Sequence, residues 1–453
     1  MNPLIFREYD IRGVAERDLP DEVARDIGRA FGTLLKRRGA RHVALGRDCR
    51  LSSERLQAAL SEGIRQTGLW IVDIGQVATP LMYFTVFHRD LDGGAVVTGS
   101  HNPPEDNGVK LMAGKQTLAG PEIRKLREMV DRQDFDLEAA GGSEEYDPLP
   151  AYSGYMRGNI QLQRNDVAFA IDAGNGMGGP VALAAMHTLG LKPDPMYCDV
   201  DGEFPHHHPD PTQPENIADL AQRVRERGHE VGIAYDGDAD RIAVIDADGL
   251  PLWGDRLVVL FARSILADHP GATILGEVKC SQSMYDDIAA RGGRPIIWKT
   301  GHSLIKQKMK EENALLAGEM SGHIFFADRY YGYDDAVYAS LRLLEILSQH
   351  PPGALDELLS GLPATHATPE IRVACPDDVK FDVVSRLLER FRQEREVVDI
   401  DGARILFDGG WGLVRASNTQ PALVMRFEAS DEDKLQQIQQ EIEQAVREAS
   451  SPG

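Results

Sequence analysis

The sequence predicts an α/β protein made of three similar, doubly wound units followed by a smaller α+β segment, and three observations predict it. Short apolar runs alternate with amphipathic helices, the alternation starts again twice further along, and the last stretch has a different texture.

The first unit opens with Phe6-Arg-Glu-Tyr-Asp-Ile-Arg-Gly13, read as a short edge strand and turn. Apolar Val23, Ile27, Ala30, Phe31, Leu34 and Leu35 share one face of a helix over Asp21 to Arg38, and the strand His42 to Asp48 follows it. A second helix, Ser52 to Gln66, precedes the strand Leu69 to Ile74. Ala95-Val-Val-Thr-Gly-Ser-His-Asn-Pro103 is then an apolar run that stops at Ser100, because Pro103 and Pro104 remove two donors and Asn107-Gly108 favours a turn. The second unit restarts at Ala168-Phe-Ala-Ile-Asp172 with a Gly-rich loop and adds the strand Val231 to Asp236. Thr273 to Lys279 and Ala314 to His323 form a third such pair. Breaks fall near Asp147, Pro148 and Pro150, at Asp246 to Gly254, and at Pro351 to Pro369, which divides the chain into 1–148, 149–248, 249–366 and 367–453. In the last segment, helices over Val379 to Arg392 and Asp431 to Ala449 pack on a small, antiparallel sheet of strands Glu370–Ala374, Ala403–Phe407, Gly412–Arg415 and Leu423–Phe427.

Composition narrows the function. A net charge of −22 and a pI near 5.0 repel nucleic acid and anionic lipid, so neither is an expected partner, and an anionic substrate requires a local cluster of Arg and Lys. No window is long and apolar enough to span a bilayer, and Met1 to Ile11 lacks a signal-peptide core, which predicts a cytoplasmic protein. Cys49, Cys198, Cys280 and Cys375 stand far apart and are expected as small buried hydrophobes. His206-His-His208 lies in a Pro-rich loop without helical spacing and reads as a structural turn.

Three stretches carry chemistry. Ser100 sits at a strand's carboxyl end, where open α/β sheets bind ligands, with His101 and Lys110 as neighbours suited to a serine that carries an anion; a capped Pro-rich turn accounts for that stretch alone equally well. Asp236-Gly-Asp-Ala-Asp-Arg241 puts three carboxylates at alternate positions, which repel one another unless a hard divalent cation joins them. An EF-hand needs Gly and Glu where Arg241 and Ala247 stand, and an Asp-Gly hairpin needs no third acid. Arg415-Ala-Ser-Asn-Thr-Gln-Pro421 offers a guanidinium, hydroxyls and an amide as an oxyanion cradle.

Tyr9-Asp-Ile-Arg-Gly13, Thr98-Gly-Ser-His-Asn-Pro103, Asp236-Gly-Asp-Ala-Asp-Arg241, Gly318-Glu-Met-Ser-Gly-His323 and Arg415-Ala-Ser-Asn-Thr419, in this order and spacing, resemble the motifs of the α-D-phosphohexomutases, in particular their bacterial phosphomannomutase/phosphoglucomutase branch. Gly99, where many relatives have alanine, is a departure expected to leave the chemistry untouched. The resemblance spans the whole chain and implies four domains around a central cleft, the fourth a lid. It implies that Ser100 is carried as phosphoserine, that Ser100, Asp236, Asp238 and Asp240 hold Mg²⁺, and that hexose 1,6-bisphosphate serves as intermediate and activator. By the same match Glu319 and Ser321 grip sugar hydroxyls, Tyr9 and His323 line the substrate site, and Arg415, Ser417, Asn418 and Thr419 take the non-reacting phosphate. Phosphoryl transfer through a loose transition state needs positive charge, which Mg²⁺, Arg241 and Lys110 supply, with Arg12, Lys279 and His302 completing the cation cluster. Lys110, His101 and His302 are the candidate general bases, unranked. The expected partners are sugar phosphates and the expected state is a monomer.

Two other readings stand beside it: phosphoglucosamine mutase of the same superfamily, and a non-catalytic sugar-phosphate-binding regulator. An aspartyl-phosphate enzyme using Asp236 or Asp238 is disfavoured, because its pattern places Thr or Val where Asp240 stands.

Overall fold

A computed structural model describes residues 2–417 and 421–450. The chain builds four sheets in succession. In the first, parallel strands Gly93–Val97, His42–Arg47, Trp70–Gln76 and Ser143–Glu145 lie side by side, and the antiparallel Asp106–Ala113 joins Gly93–Val97 to the edge strand Ile11–Val14. The second pairs Phe169–Asp172 in parallel with Asp194–Met196 and Val231–Tyr235, then adds antiparallel Ile242–Ile245 and Pro251–Leu252. The third sets Thr273–Glu277 in parallel between Arg294–Trp298 and Leu316–Gly318, with Ile324–Phe326 antiparallel at its edge. The fourth sheet is antiparallel throughout, with Ala422–Ala429 and Gly410–Ala416 at its centre and helices Lys380–Phe391 and Glu432–Ser450 against it.

One feature recurs in the first three sheets. Each ends a parallel run with an antiparallel hairpin, and those hairpin loops hold residues 98–105, 236–241 and 319–323. The three expected chemical stretches of these units therefore occupy equivalent places in a repeated plan.

Helix boundaries follow the periodicity closely: Asp21–Lys36 and Ser53–Arg65 end one or two residues inside the expected limits. The helix Thr79–His88 was not legible, because Thr79 to Val86 are all buried and no polar stripe marks a face. It lies inside a hydrophobic core that runs without interruption through the first three domains, from Tyr83 and Phe84 through Tyr152 and Phe169 to Phe261 and Tyr338. The fourth domain keeps a core of its own, around Leu387, Phe391, Ile405, Phe427 and Ile442. Three domains thus form one packed body and the fourth docks on it.

That docking combines a small apolar cluster, Val278 and Ile297 against Ile400, Leu406, Trp411 and Leu413, with buried polar contacts. Arg404, fully buried and 3.9 Å from the Trp411 ring, donates to the carbonyls of Val278 (2.7 Å) and Cys280 (2.9 Å), and Arg426 donates to the carbonyl of Lys279. Glu428 accepts from Ser281 Oγ, the Gln282 N–H and Trp411 Nε1. Docking between separate cores permits relative motion more readily than one large shared core does. Among the described residues no helix is long and apolar enough to cross a membrane. Cys49, Cys280 and Cys375 are buried free thiols, and Cys198 is half-buried.

Candidate active site

The serine loop is held in an unusual backbone conformation. Ser100 has φ of 49°, the left-handed region that non-glycine residues enter at a cost of about 1 kcal/mol or more, so its surroundings must impose it. They do so from both flanks: Thr98 Oγ1 accepts the Ser100 N–H at 2.8 Å, and Asp48 Oδ2 accepts the Gly99 N–H at 3.1 Å. The hydroxyl that results is buried, donates to Asp236 Oδ2 at 2.9 Å, and lies 3.2 Å from His101 Nδ1.

The carboxylate loop closes on the same point. Ala239, with φ of 60°, lets the chain turn tightly enough for Asp236 Oδ1 to accept the N–H groups of Asp240 and Arg241 at 3.0 and 3.1 Å. Asp236, Asp238 and Asp240 are fully buried, and one carboxylate oxygen from each lies within 4.8 Å of the others. Lys110 donates to Asp238 Oδ2 at 2.7 Å and to Asp240 Oδ2, while Thr79 adds a 2.7 Å bond to Asp238 Oδ2. Asp238 Oδ1 and Asp240 Oδ1 have no hydrogen-bond partner among the described residues. Buried orphan carboxylate oxygens are expensive, and hard oxygen donors that converge beside a serine fit a divalent cation. Burial and the facing Asp240 and Asp238 push the Asp236 carboxyl well above the usual carboxylate range. Burial alone would lower the Lys110 ammonium, but Asp238, Asp240 and Asp236 outweigh it and hold the proton on. Burial and the cations Arg241, Arg12 and Lys110 push His101 well down, which leaves a neutral imidazole next to the serine.

The third hairpin loop faces these two. Glu319 Oε1 accepts the Gly301 N–H at 2.6 Å, and Ser321 Oγ donates to Glu319 Oε2 at 3.1 Å, so both side chains are preset on one short loop. Arg241 Nε donates to His323 Nε2 at 3.0 Å, which places the proton of a neutral His323 on Nδ1, 3.1 Å from Asp334 Oδ2. Lys306 ties His302 to the same carboxylate, with Nζ 3.2 Å from His302 Nδ1 and 2.8 Å from Asp334 Oδ1. Burial and Lys306 lower His302. Asp240, His323 and Asp334 also cluster, but Lys306 and Arg241 already supply the positive charge there.

The remaining cations are spread over three domains, each beside a carboxylate or an amide. Arg12 donates to Asn102 Oδ1 (2.6 Å) and Asp10 Oδ2 (2.7 Å). Lys279 donates to Glu370 Oε2 at 3.2 Å. Arg415 pairs with Asp401, which also accepts the Thr300 N–H, while Tyr9 OH donates to the Thr300 carbonyl. One chain of contacts therefore joins the first, third and fourth domains at Thr300. Ser417 is buried next to Arg415, and its carbonyl accepts from Lys380 at 2.6 Å; Asn418 and Thr419 lie outside the described residues. His207 is bound to Asp172 at 3.1 Å and His206 to Asn175 at 2.7 Å, as suits a structural turn.

Asp48, Arg50, Thr79, Lys306, Asp334, Glu370 and Asp401 were not singled out from the sequence. Only the i, i+4 spacing of His302 and Lys306 on the helix His302–Glu312 offered a local signal. Glu370 makes a pH test of the lid contact. Burial would raise its carboxyl, but Lys279 and Arg372 overcome that and carry it to about 2. A depressed carboxylate stabilises the fold above its unfolded value near 4.5 and loses that effect as pH falls toward 2. Glu370→Gln is expected to lower unfolding free energy by about 2 kcal/mol at neutral pH, with the gap to the parent closing between about pH 4.5 and 2. Denaturant titrations across that window check it; a gap independent of pH contradicts the pairing.

Sequence models of phosphoglucomutase/phosphomannomutase α/β/α domains I, II and III match residues 3–137, 151–249 and 253–366, and the model of the C-terminal domain matches 370–445. The chain is 44% identical over 436 residues to a phosphomannomutase/phosphoglucomutase of Pseudomonas aeruginosa, covering 96% of this chain and 93% of that one. It is 42% identical over 446 residues to a phosphoglucomutase of Neisseria meningitidis, covering 98% and 96%. A crystal structure of a phosphoglucomutase/phosphomannomutase family protein from Burkholderia thailandensis superposes with a TM-score of 0.94 at 40% identity, covering 99% of this chain and 98% of that one. Four domain matches in order, together with relatives above 40% identity along nearly the full length, mean that this chain belongs to the phosphoglucomutase/phosphomannomutase family.

Proposed function

We propose that this hexose-phosphate mutase interconverts the 1- and 6-phosphates of glucose and mannose, with Ser100 as the phosphoryl carrier and hexose 1,6-bisphosphate as the intermediate. The observation that carries the reading is the buried Ser100 hydroxyl bound to Asp236 inside the three-carboxylate cluster. Asp236, Asp238 and Asp240 would hold Mg²⁺ next to Ser100, and the ion would supply positive charge to the transferring phosphoryl oxygens.

In the forward half-reaction a sugar hydroxyl attacks the phosphorus of phosphoserine, the P–Oγ bond breaks, and Ser100 Oγ regains a proton. Lys110 keeps its proton among Asp238 and Asp240 and acts as fixed positive charge, as does Arg241. His101 and His302, held neutral by burial, are the groups able to accept the hydroxyl proton, and His101 Nδ1 is already 3.2 Å from Ser100 Oγ. Glu319 and Ser321 grip hydroxyls common to glucose and mannose, so the C2 epimers are both accepted. A poor reaction with the 2-amino sugar is a separate expectation of this reading. Tyr9, Arg12, Lys279 and His323 line the site, and Arg415, Ser417, Asn418 and Thr419 take the non-reacting phosphate. Asp401 stands in for that phosphate on Arg415 until substrate displaces it.

The bisphosphate must reverse between half-reactions, so the same distal clamp serves both ends of the sugar. The separate core of the fourth domain supports a lid that opens for this turn. Arg415→Ala is expected to raise KM for glucose 1-phosphate and glucose 6-phosphate alike, by about tenfold or more, and to release bisphosphate during turnover. An effect on one substrate alone contradicts a shared clamp. The direct test of the reading is conversion of glucose 1-phosphate, mannose 1-phosphate and glucosamine 1-phosphate with Mg²⁺ and trace bisphosphate. Preference for the amino sugar moves the chain to phosphoglucosamine mutase. A monomeric, cytoplasmic enzyme belongs to the same reading, and sedimentation at enzyme concentration tests the monomer.

A further inference from the structure

Behind the serine loop lies a buried arginine that none of the family-like stretches contains. Arg50 follows the strand His42–Arg47, and its side chain is fully buried. It donates to four carbonyls of one loop: Ser100 at 2.8 Å, Asn102 at 2.6 Å, Asp106 at 3.0 Å, and Pro103. Its Nε is 3.3 Å from Asp48 Oδ2, the oxygen that accepts the Gly99 N–H. Guanidinium and carboxylate together therefore hold the loop by its carbonyls and by a peptide N–H.

A buried guanidinium is costly and burial lowers its proton affinity, so it persists only where its partners repay the lost water. Here nearly all the partners are peptide oxygens of the stretch that carries Ser100. Those oxygens bear partial negative charge, and Arg50 turns four of them onto itself and away from any phosphoryl dianion on the serine. The same contacts over-determine the left-handed Ser100. Gly99 is matched to this arrangement, since a methyl there would lie 2.4 Å from Arg50 Nε and 2.5 Å from Cζ. The second domain seals the site from outside, with the Phe204 ring 5.2 Å from the guanidinium.

We propose that Arg50 is a positioning residue for phosphoryl transfer, holding the Ser100 loop so that phosphoserine is given to the hexose and not to water. It rests on the reading of Ser100 as phosphoryl carrier. The competing step is hydrolysis: water oxygen attacks phosphorus, the P–Oγ bond breaks, a water proton goes to Ser100 Oγ, and inorganic phosphate leaves.

The test loads the parent enzyme, Arg50→Lys and Gly99→Ala with glucose 1,6-bisphosphate, removes the excess, and follows serine phosphate by intact mass alongside kcat and KM for glucose 1-phosphate. Lysine keeps the charge but cannot reach four divergent carbonyls. Arg50→Lys is expected to lose serine phosphate about tenfold faster and to show kcat lower by about tenfold to a hundredfold, with KM within about twofold. Gly99→Ala should shift both in the same direction by less. Parent-like phosphate retention and kcat in Arg50→Lys overturn the inference, as does a raised KM with kcat unchanged. Should Arg50→Lys fail to fold, Gly99→Ala decides, and parent-like retention in that variant overturns it. A parent enzyme that takes no phosphate on Ser100 instead defeats the functional reading beneath it.

Discussion

Ser100→Ala is expected to leave a folded protein whose mutase activity is lower by about a thousandfold or more. The hydroxyl is the atom that must bond to phosphorus, and no neighbouring side chain stands in its place: His101 Nδ1 lies 3.2 Å to one side of it, and the carboxylates sit in ion pairs and hydrogen bonds of their own. Loss of a covalent carrier removes a chemical route, so the effect falls on kcat, not on KM. The structural cost is small, since alanine removes one donor to Asp236 Oδ2 and leaves the carboxylate its two backbone bonds, about 1 kcal/mol in all. A coupled assay with glucose 1-phosphate measures the rate, thermal melting measures the fold, and intact mass after bisphosphate treatment measures the serine phosphate. Normal turnover by the alanine variant, or phosphate found on another residue of the active enzyme, would falsify the assignment.

Asp238→Asn should cost about a hundredfold or more in activity and abolish stabilisation by added Mg²⁺. Asp238 offers one oxygen to Lys110 and Thr79 and keeps the other without a partner, so its charge both steadies Lys110 and faces the expected cation. Asparagine retains the shape and the Thr79 bond but removes that charge. Without metal the change is destabilising, because despite its burial the Asp238 carboxyl is held well below the usual range by Lys110 and Thr79, and asparagine leaves the buried ammonium one ion pair short. Added metal widens the gap between the two proteins. An ion bound to the native state at a hundred times its dissociation constant adds about 2.7 kcal/mol of stability, and the variant should gain almost none of it. Melting curves across a Mg²⁺ titration read this without reference to activity. Equal Mg²⁺ stabilisation of parent and variant, or full parent activity in excess chelator, sinks the metal assignment.

Legibility differed sharply between the parts of the site. Ser100, the three aspartates and Glu319 were readable because each group of chemical residues is local, a few positions in one hairpin loop. The helices of the fourth domain were readable because one face is apolar and the other wet; Lys380–Phe391 and Glu432–Ser450 match their expected spans within one or two residues. Thr79–His88 was not, since burial on every side erased the pattern on which such a reading depends. Gly99 looked neutral as a single residue and proves to be fitted to Arg50, which lies 49 positions earlier by number but in contact through its guanidinium.

By itself the sequence determined the alternation of strands and helices, the repeated three-unit plan with a distinct final domain, and the chemical character of each loop. These depend on periodicity and on side chains close together along the chain, which the order of residues states directly. Only the tertiary structure decided that Lys110 lies between Asp238 and Asp240, that Asp334 Oδ2 lies against both His302 and His323 while its other oxygen takes Lys306, and that Asp401 occupies Arg415. It also decided that Arg50 gathers the carbonyls of the serine loop. The reason is physical: a buried charge is stable only beside its partner, and which strand end delivers that partner is set by how whole sheets pack across a common core, a choice that no local run of residues contains.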